Sequence, residues 1–374
     1  MKIKKTISVF GSKTGIEEVM NAKECIESQW MGFGQKVEEF EVAFSNIRNI
    51  SNFAMVDSGS NALFMATTLL DLPKGSEIIV PSFTWVACAQ SVLLAGHKPV
   101  FCDVDLETQN ITRAHIEPHI TIHTKAIMVV HYAGKPVEMK EIQDLGLPII
   151  EDAAHAVDSS YNGISCGSIG DVGIFSFDAV KNLAVGEGGG ITSKNPDLIN
   201  RGKFLRYCGI GKSGFNSAAS ADAHRWWEHN IVEPFIKMLP TNIAASIGLA
   251  QIIKLPSLQT YRRKIWETYQ SEFCKEEWIT TPTNALSNET HSYFTYFIRV
   301  PKRDELSKYL LNKKIYTTLR YHPLHLNKIY ESDSKLINCE LLNEQGLNIP
   351  LHPNLSEFEI EYIIDSIKGF KQFL

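Results

Sequence analysis

The chain has 374 residues, 44% hydrophobic and 21% charged, with 24 glycines and 15 prolines; collagen, coiled coil and bulk disorder are excluded. Lysine and arginine total 37 against 42 acidic residues, a net charge of −5 with no basic stripe, so nucleic acid is excluded as the main partner. The seven cysteines (Cys25, Cys88, Cys102, Cys166, Cys208, Cys274, Cys339) form no C-x-x-C pair, which argues against a zinc or redox site and for reduced thiols in a cytoplasmic protein. The start, Met-Lys-Ile-Lys-Lys-Thr-Ile, is basic but too polar for a signal-peptide core, and no apolar run approaches the ~20 residues of a membrane span.

From about residue 50 to 200, short apolar runs alternate with segments of helical period. "NFAMV" stops at Asp57-Ser58-Gly59-Ser60, and "NALFMATTLLDL" reads as a helix. "GSEIIVPSFTW" precedes the helical "VACAQSVLLAGH"; "KPVFCDVD", "KAIMVVHYAG", "LPIIEDAAHA" and "DVGIFSFD" follow as strand-length runs fenced by Gly, Pro or Asp. Consecutive apolar positions suit a sheet covered on both faces, and intervening helices imply crossovers and a largely parallel sheet. Beyond residue 240, "TNIAASIGLAQIIKL" and "LQTYRRKIWETYQSEFC" read as two helices, the second starting after Pro256. "SYFTYFIRV" reads as a strand, "RDELSKYLLNKK" as a helix, and "SEFEIEYIIDSIKGFKQF" as a last helix capped by Ser356. The expected organisation is α/β: a large domain over 1–252, whose N-terminal segment is free to pack with the small domain, and a smaller α+β domain over 253–374.

In a parallel α/β sheet, ligands bind beyond the carboxyl ends of the strands. After "NFAMV", Ser58-Gly59-Ser60 at a helix start offers donors to an anion, though an N-cap alone would need the same residues. After "LPII", Asp152 at the end of a buried strand needs a partner, which a cationic ring nitrogen or a backbone cap would supply equally well. After "GIF" come Ser176 and then Lys181, ahead of a glycine-rich turn at Gly186–Gly190. Such a lysine either stays solvated or, when buried, loses its proton and attacks carbonyls. A phosphate cradle, an acid for a pyridine nitrogen and an imine-forming lysine are together the protein parts that pyridoxal phosphate requires.

With these residues in view, the sequence resembles the DegT/DnrJ/EryC1/StrS family of pyridoxal-phosphate-dependent sugar aminotransferases, of fold type I. The resemblance runs through "SQWMGFGQKVEEFE", "DSGSNALFMA", "PSFTWVACAQSVLLAGHKPVFCDVD", "IIEDAAHA", "IFSFDAVKNLAVGEGGGITS", "NIAASIGLAQIIKL" and "LNIPLHPNLS". It implies a large, mostly parallel, seven-stranded sheet domain with a smaller C-terminal α+β domain. By the resemblance, Lys181 is the lysine that anchors the cofactor, Asp152 the partner of the pyridine nitrogen, and His155 stands beside the ring. Trp85 corresponds to the aromatic stacked on the cofactor, and Gly59, Ser60 and Ser176 to phosphate contacts. Lys237 falls where the family usually has an Asn donated across a dimer interface to the phosphate; the surrounding "Y-N-Y-R-M" pattern is replaced by Ile236-Lys237-Met238-Leu239-Pro240. His325, in "PLHL", resembles a position bordering the substrate pocket, where substrate contact and a structural hydrogen bond are equally open.

The family branch that dehydrates instead of aminating has histidine in place of the lysine, so Lys181 points to amination. The resemblance implies a homodimer with shared active sites, L-glutamate as amino donor and a nucleotide-linked keto-deoxy sugar as acceptor, with a 4-keto-6-deoxyhexose favoured. A 3-keto sugar, a cyclitol ketone and a non-catalytic cofactor-binding role are the alternatives. No G-x-G-x-x-G follows the first strand, which weighs against a nicotinamide enzyme. "GIGKSG" is not a Walker loop, because that spacing puts its first glycine at Arg206; "HIEPH" (His115, His119) is broken by Pro118, so no metal is expected. Arg225, Trp226 and Trp227 read as buried packing or an interface.

Overall fold

A computed structural model describes residue 3, residues 5–211 and residues 227–374. Its central sheet takes five strands in succession: β1 (Phe53–Val56), β2 (Glu77–Pro81), β3 (Lys98–Cys102), β4 (Thr124–Val130) and β5 (Ile149–Asp152). The short β6 (Ser160–Tyr161) and β7 (Ile164–Ser165) stand apart, and β8 (Val172–Ser176) and β9 (Gly189–Thr192) complete the sheet in the order β1-β9-β8-β5-β4-β2-β3. Strands β3, β2, β4, β5 and β8 run parallel, whereas β9 is antiparallel to both neighbours. The expected large, mostly parallel sheet is therefore present, with one reversed strand.

Alternate residues of each strand feed opposite cores, as a two-residue period requires. Ile78, Val80, Met128, Ile150 and Ile174 meet helices Gly59–Leu69, Val86–Leu94 and Pro196–Leu205. Ile79, Ile127, Val129 and Phe175 meet helix Gln35–Arg48 and the first half of helix Asn242–Phe273. Phe40 and Phe44 stand edge-on to Phe177, with centroids at 5.3 and 5.2 Å, and so fix the residue that follows β8.

Strand β9 was not legible as a strand; its glycines read as part of a turn. The two glycines answer to crowding instead. A Cβ on Gly189 would lie 2.5 Å from the Ser58 carbonyl, and one on Gly190 would lie 2.2 Å from the Phe53 ring.

Asn242–Phe273 is one continuous helix where two were expected. Pro256 lies on its exposed side and costs the helix one backbone hydrogen bond. Burial on both sides of the proline, by Ile252 and Leu255 in one core and Ile265, Trp266 and Tyr269 in another, outweighs the lost bond. Residue 253 thus lies inside a helix shared by two lobes.

The short β10 (Glu289–Thr290) pairs with β6, and the sheet of the smaller lobe follows it. Strand β11 (Tyr296–Arg299) pairs antiparallel with β12 (Gly346–Ile349), and helices Arg303–Asn312 and Glu357–Lys368 pack on the end of the long helix. The last helix opens with the expected cap: the Glu359 amide donates to Ser356 Oγ at 3.3 Å, and the Ser356 amide donates to Glu359 Oε2 at 2.9 Å. Ile7 bridges to Ile315 and joins this core, so the N-terminal segment packs with the small lobe. The lobes are also tied by Asp103, whose oxygens accept the Asn338 and Cys339 amides at 2.9 and 2.8 Å. Among the described residues, no helix is long and apolar enough to cross a membrane. Arg225 and Trp226 lie outside the described residues; Trp227 is exposed.

Candidate active site

The carboxyl ends of β1, β5 and β8 open on a cavity of about 290 Å³. At the β1 end, Ser58 caps helix Gly59–Leu69 by accepting the Asn61 amide at 3.2 Å. The Gly59 and Ser60 amides, in the first turn, have no intrahelical acceptor. A Cβ on Gly59 would lie 2.7 Å from Ser176 Cβ, so only glycine lets the helix start this close to the end of β8. Two amides at a positive helix end and two serine hydroxyls make a fitting receptor for a phosphate.

Between β8 and β9, the chain turns back on itself and carries Lys181. The Phe177 amide donates to Gly188 O at 2.8 Å, Val185 to Phe177 O at 2.9 Å, and Lys181 to Asp178 O at 2.9 Å. Lys181 Nζ sits 4.8 Å from the centroid of Phe294. Burial and then the Arg320 guanidinium push its pKa down to about 8, against the pull of Asp152 and Asp178. An amine so placed is a nucleophile and a proton carrier near neutrality.

Asp152, 4% exposed, ends β5. Its Oδ1 accepts the Ala154 amide at 2.9 Å, and its Oδ2 accepts from Cys88 Sγ at 3.2 Å. Burial raises its pKa, opposed by these two donors and by Lys181, so a cationic ring nitrogen would relieve the buried charge. His155 is held below the usual imidazole range by burial, Lys181 and Arg320, and is neutral. Its Nε2 is 2.9 Å from Tyr321 Oη, while Nδ1 is buried without a partner, a polar atom waiting for a ligand. Trp85, 52% exposed, stands at the rim with its ring 5.5 Å from that of Tyr321.

The cavity therefore gathers Gly59, Ser60, Trp85, Asp152, His155, Ser176 and Lys181, seven of the residues expected from the sequence. A cradle closed to any Cβ, an orphaned imidazole nitrogen, a buried acid and a depressed lysine together fit pyridoxal phosphate. Two expected residues lie elsewhere. Lys237 is exposed, bridging to Tyr207, and does not line the cavity of its own chain. His325 is buried outside it, with Nδ1 2.6 Å from Ser82 Oγ, which in turn accepts the His325 amide at 3.1 Å.

Arg320 and Tyr321 also line the cavity and were not singled out from the sequence. The guanidinium stacks 3.7 Å from the Phe10 centroid and its Nη1 donates to Tyr321 Oη at 3.2 Å. Tyr132 donates its hydroxyl to the Arg320 carbonyl. The available signal was the run "RYH" directly before "PLHL".

A larger groove of about 1490 Å³ runs between the long helix and residues 280–293, but it contains none of these side chains. Behind the sheet, His131, Glu151 and Cys166 cluster within metal-ligand range. The Val137 amide donates to His131 Nδ1 at 2.9 Å, so the ring proton is on Nε2 and goes to Glu151 at 2.8 Å. Glu151 also accepts the Ile169 and Gly170 amides, each at 2.8 Å. Both imidazole nitrogens are thus spoken for, and the cluster braces β5 rather than offering lone pairs to a cation.

An α/β chain with a lysine on a tight return and an acid at a neighbouring strand end has the architecture of a fold type I pyridoxal-phosphate enzyme. The model of the DegT/DnrJ/EryC1/StrS aminotransferase family matches residues 13–368, and the chain belongs to that family. It is 34% identical over 363 residues to a dTDP-4-dehydro-2,3,6-trideoxy-D-glucose 4-aminotransferase of Saccharopolyspora spinosa, covering 95% of this chain and 94% of the relative. Its fold matches the crystal structure of the aminotransferase TlmJ from Streptoalloteichus hindustanus with a TM-score of 0.92 and 32% identity, over 98% and 99% of the two chains. A putative sugar aminotransferase from Streptococcus pneumoniae, 26% identical, has been solved in both PLP and PMP forms (TM-scores 0.89 and 0.91; 98% of this chain and 99% of that one). The cofactor of the family is pyridoxal phosphate, as the residues of the cavity require.

Proposed function

We propose that this aminotransferase moves an amino group from L-glutamate to the ketone of a nucleotide-linked keto-deoxy sugar, with a 4-keto-6-deoxyhexose as the favoured acceptor. The observation that carries the reading is one cavity holding Lys181, Asp152 and the Gly59–Ser60–Ser176 cradle. The choice of position 4 is supported by the activity named for the Saccharopolyspora spinosa relative. When bound, pyridoxal phosphate supplies an electron sink and a carrier for the amino group. Lys181 anchors it and, once freed, moves a proton to and from the carbon that gains or loses nitrogen. Asp152 would hold the ring nitrogen cationic, His155 and Trp85 would stand against the ring, and the cradle would hold the phosphate.

The working unit is a homodimer in which Lys237 reaches the partner's phosphate. Apolar side chains exposed at Trp30, Met31, Ile231, Val232 and Ile236 support a covered face in that region. All seven cysteines are free, in keeping with a cytoplasmic setting. The test is a panel of dTDP-, UDP- and GDP-linked 4-keto and 3-keto sugars and cyclitol ketones with glutamate, the aminated carbon being located by NMR. The 4-amino product with release of 2-oxoglutarate is expected; amination only at another carbon, or none, overturns the assignment. Mixing Lys181→Ala with Lys237→Ala chains tests the shared site: hybrids regain activity if it is shared and stay inactive if it is not.

A further inference from the structure

We propose that Cys88 is a positioning residue that sets how strongly Asp152 holds the proton of the cofactor's ring nitrogen. This rests on the assignment of Asp152 to that nitrogen. Cys88 lies in the first turn of helix Val86–Leu94 and is fully buried. Its Sγ is 3.2 Å from Asp152 Oδ2 and 3.3 Å from Thr84 Oγ1. A carboxylate only accepts, so the thiol proton points to Asp152 and the Thr84 hydroxyl donates to sulfur. The result is a directed relay, Thr84 O–H to Cys88 S–H to Asp152, with Thr84 and Asp152 both at the cavity wall.

The opposite carboxylate oxygen is tied to the Ala154 amide, which side-chain chemistry cannot tune. Cys88 is the adjustable donor. Burial and the neighbouring Asp152 push the thiol pKa far up, so it remains a donor throughout the working range. A thiol donates more weakly than a hydroxyl, so it quenches less of the carboxylate charge and leaves Asp152 more basic. The other ionisable groups near Asp152 are Lys181, between β8 and β9, His131, behind β5, and Tyr321, from the small lobe.

The sign follows directly. Removing the thiol makes Asp152 more basic and draws the shared proton from the ring nitrogen toward the carboxylate. A less positive ring lets the nitrogen joined to Lys181 keep its own proton to higher pH. Two measurements on the pyridoxal-phosphate-loaded enzyme read this without turnover: the pH midpoint of the visible absorption band, and the ¹⁵N shift of ring-labelled cofactor. In Cys88→Ala, the midpoint is expected to rise by about half a unit to one unit, with the ¹⁵N signal moving toward the unprotonated position. Cys88→Ser, which keeps a donor, should recover at least part of both. The proposal is overturned if the alanine variant binds cofactor yet keeps both values, or if alanine and serine shift them alike. Asp152→Asn separates the two claims. An unchanged ¹⁵N signal there removes the Asp152 assignment itself, whereas a change there with none in Cys88→Ala removes only the role of the thiol.

Discussion

In the proposed assignment, the ionisation of Lys181 sets when the apoprotein can capture its cofactor, and Arg320 is the side chain through which it can be moved. With a pKa of about 8, roughly a tenth of the chains carry the free amine at pH 7, against about 0.03% for an ordinary lysine. The rate of cofactor capture, followed as growth of the visible band on mixing apoprotein with pyridoxal phosphate, should therefore rise with pH and level off above a midpoint near 8. Nζ of Lys181 and the guanidinium of Arg320 lie 4.8 and 5.5 Å from the centroid of the same Phe294 ring, and are thus no more than about 10 Å apart. At an effective dielectric constant of about 20, two unit charges at that distance interact by roughly 1.7 kcal/mol, or about 1.2 pKa units. Screening at the half-buried guanidinium reduces this to about half a unit to one unit. Arg320→Gln should move the midpoint upward by that amount, slowing capture at pH 7 by about 3- to 10-fold while leaving the plateau at high pH unchanged. A wild-type midpoint near 10 would refute the reasoning about burial. An unmoved midpoint in the variant would refute the part assigned to Arg320.

Gly59→Ala puts a Cβ 2.7 Å from that of Ser176, against a strand end that cannot retreat. Cofactor affinity, measured by fluorescence titration, should fall at least about 10-fold as the cradle is forced open. His325→Ala removes the partner of Ser82 but nothing that lines the cavity; urea unfolding should show a loss of about 1–2 kcal/mol, with the KM for the sugar unchanged. A large rise in KM would instead make His325 a substrate contact. Ser356→Ala breaks the capping box of the last helix and should cost about 1 kcal/mol by the same measurement, with activity intact.

The cavity was legible where chemistry and chain order coincide. Asp57–Ser60 and Ser176 directly follow an apolar run, Asp152 and Lys181 come shortly after one, and strand ends on one side of a parallel sheet meet at one place. Trp85 and His155 were legible only through the resemblance to the family. Arg320 and Tyr321 escaped because they come from the small lobe, whose position over the strand ends depends on tertiary ties such as Asp103 to Asn338 and Ser82 to His325. Cys88 sits mid-pattern in a helix and acquires meaning only once Asp152 is known to face it. Strand β9 was hidden because its glycines answer to crowding by Ser58 and Phe53, a constraint with no local signature. Pro256 misled in the opposite direction: a rule about isolated helices yielded to two hydrophobic cores gripping one rod.

The reversal of β9 has a consequence for turnover. Had that strand run with its neighbours, the chain would have needed a long excursion across the sheet, and the amine would have hung from a slack line. Instead Lys181 rides on a short leash knotted at both ends, by Phe177 to Gly188 and by Val185 back to Phe177. As the proposed anchor, an amine held on so short a loop would keep a high local concentration around the reacting carbon.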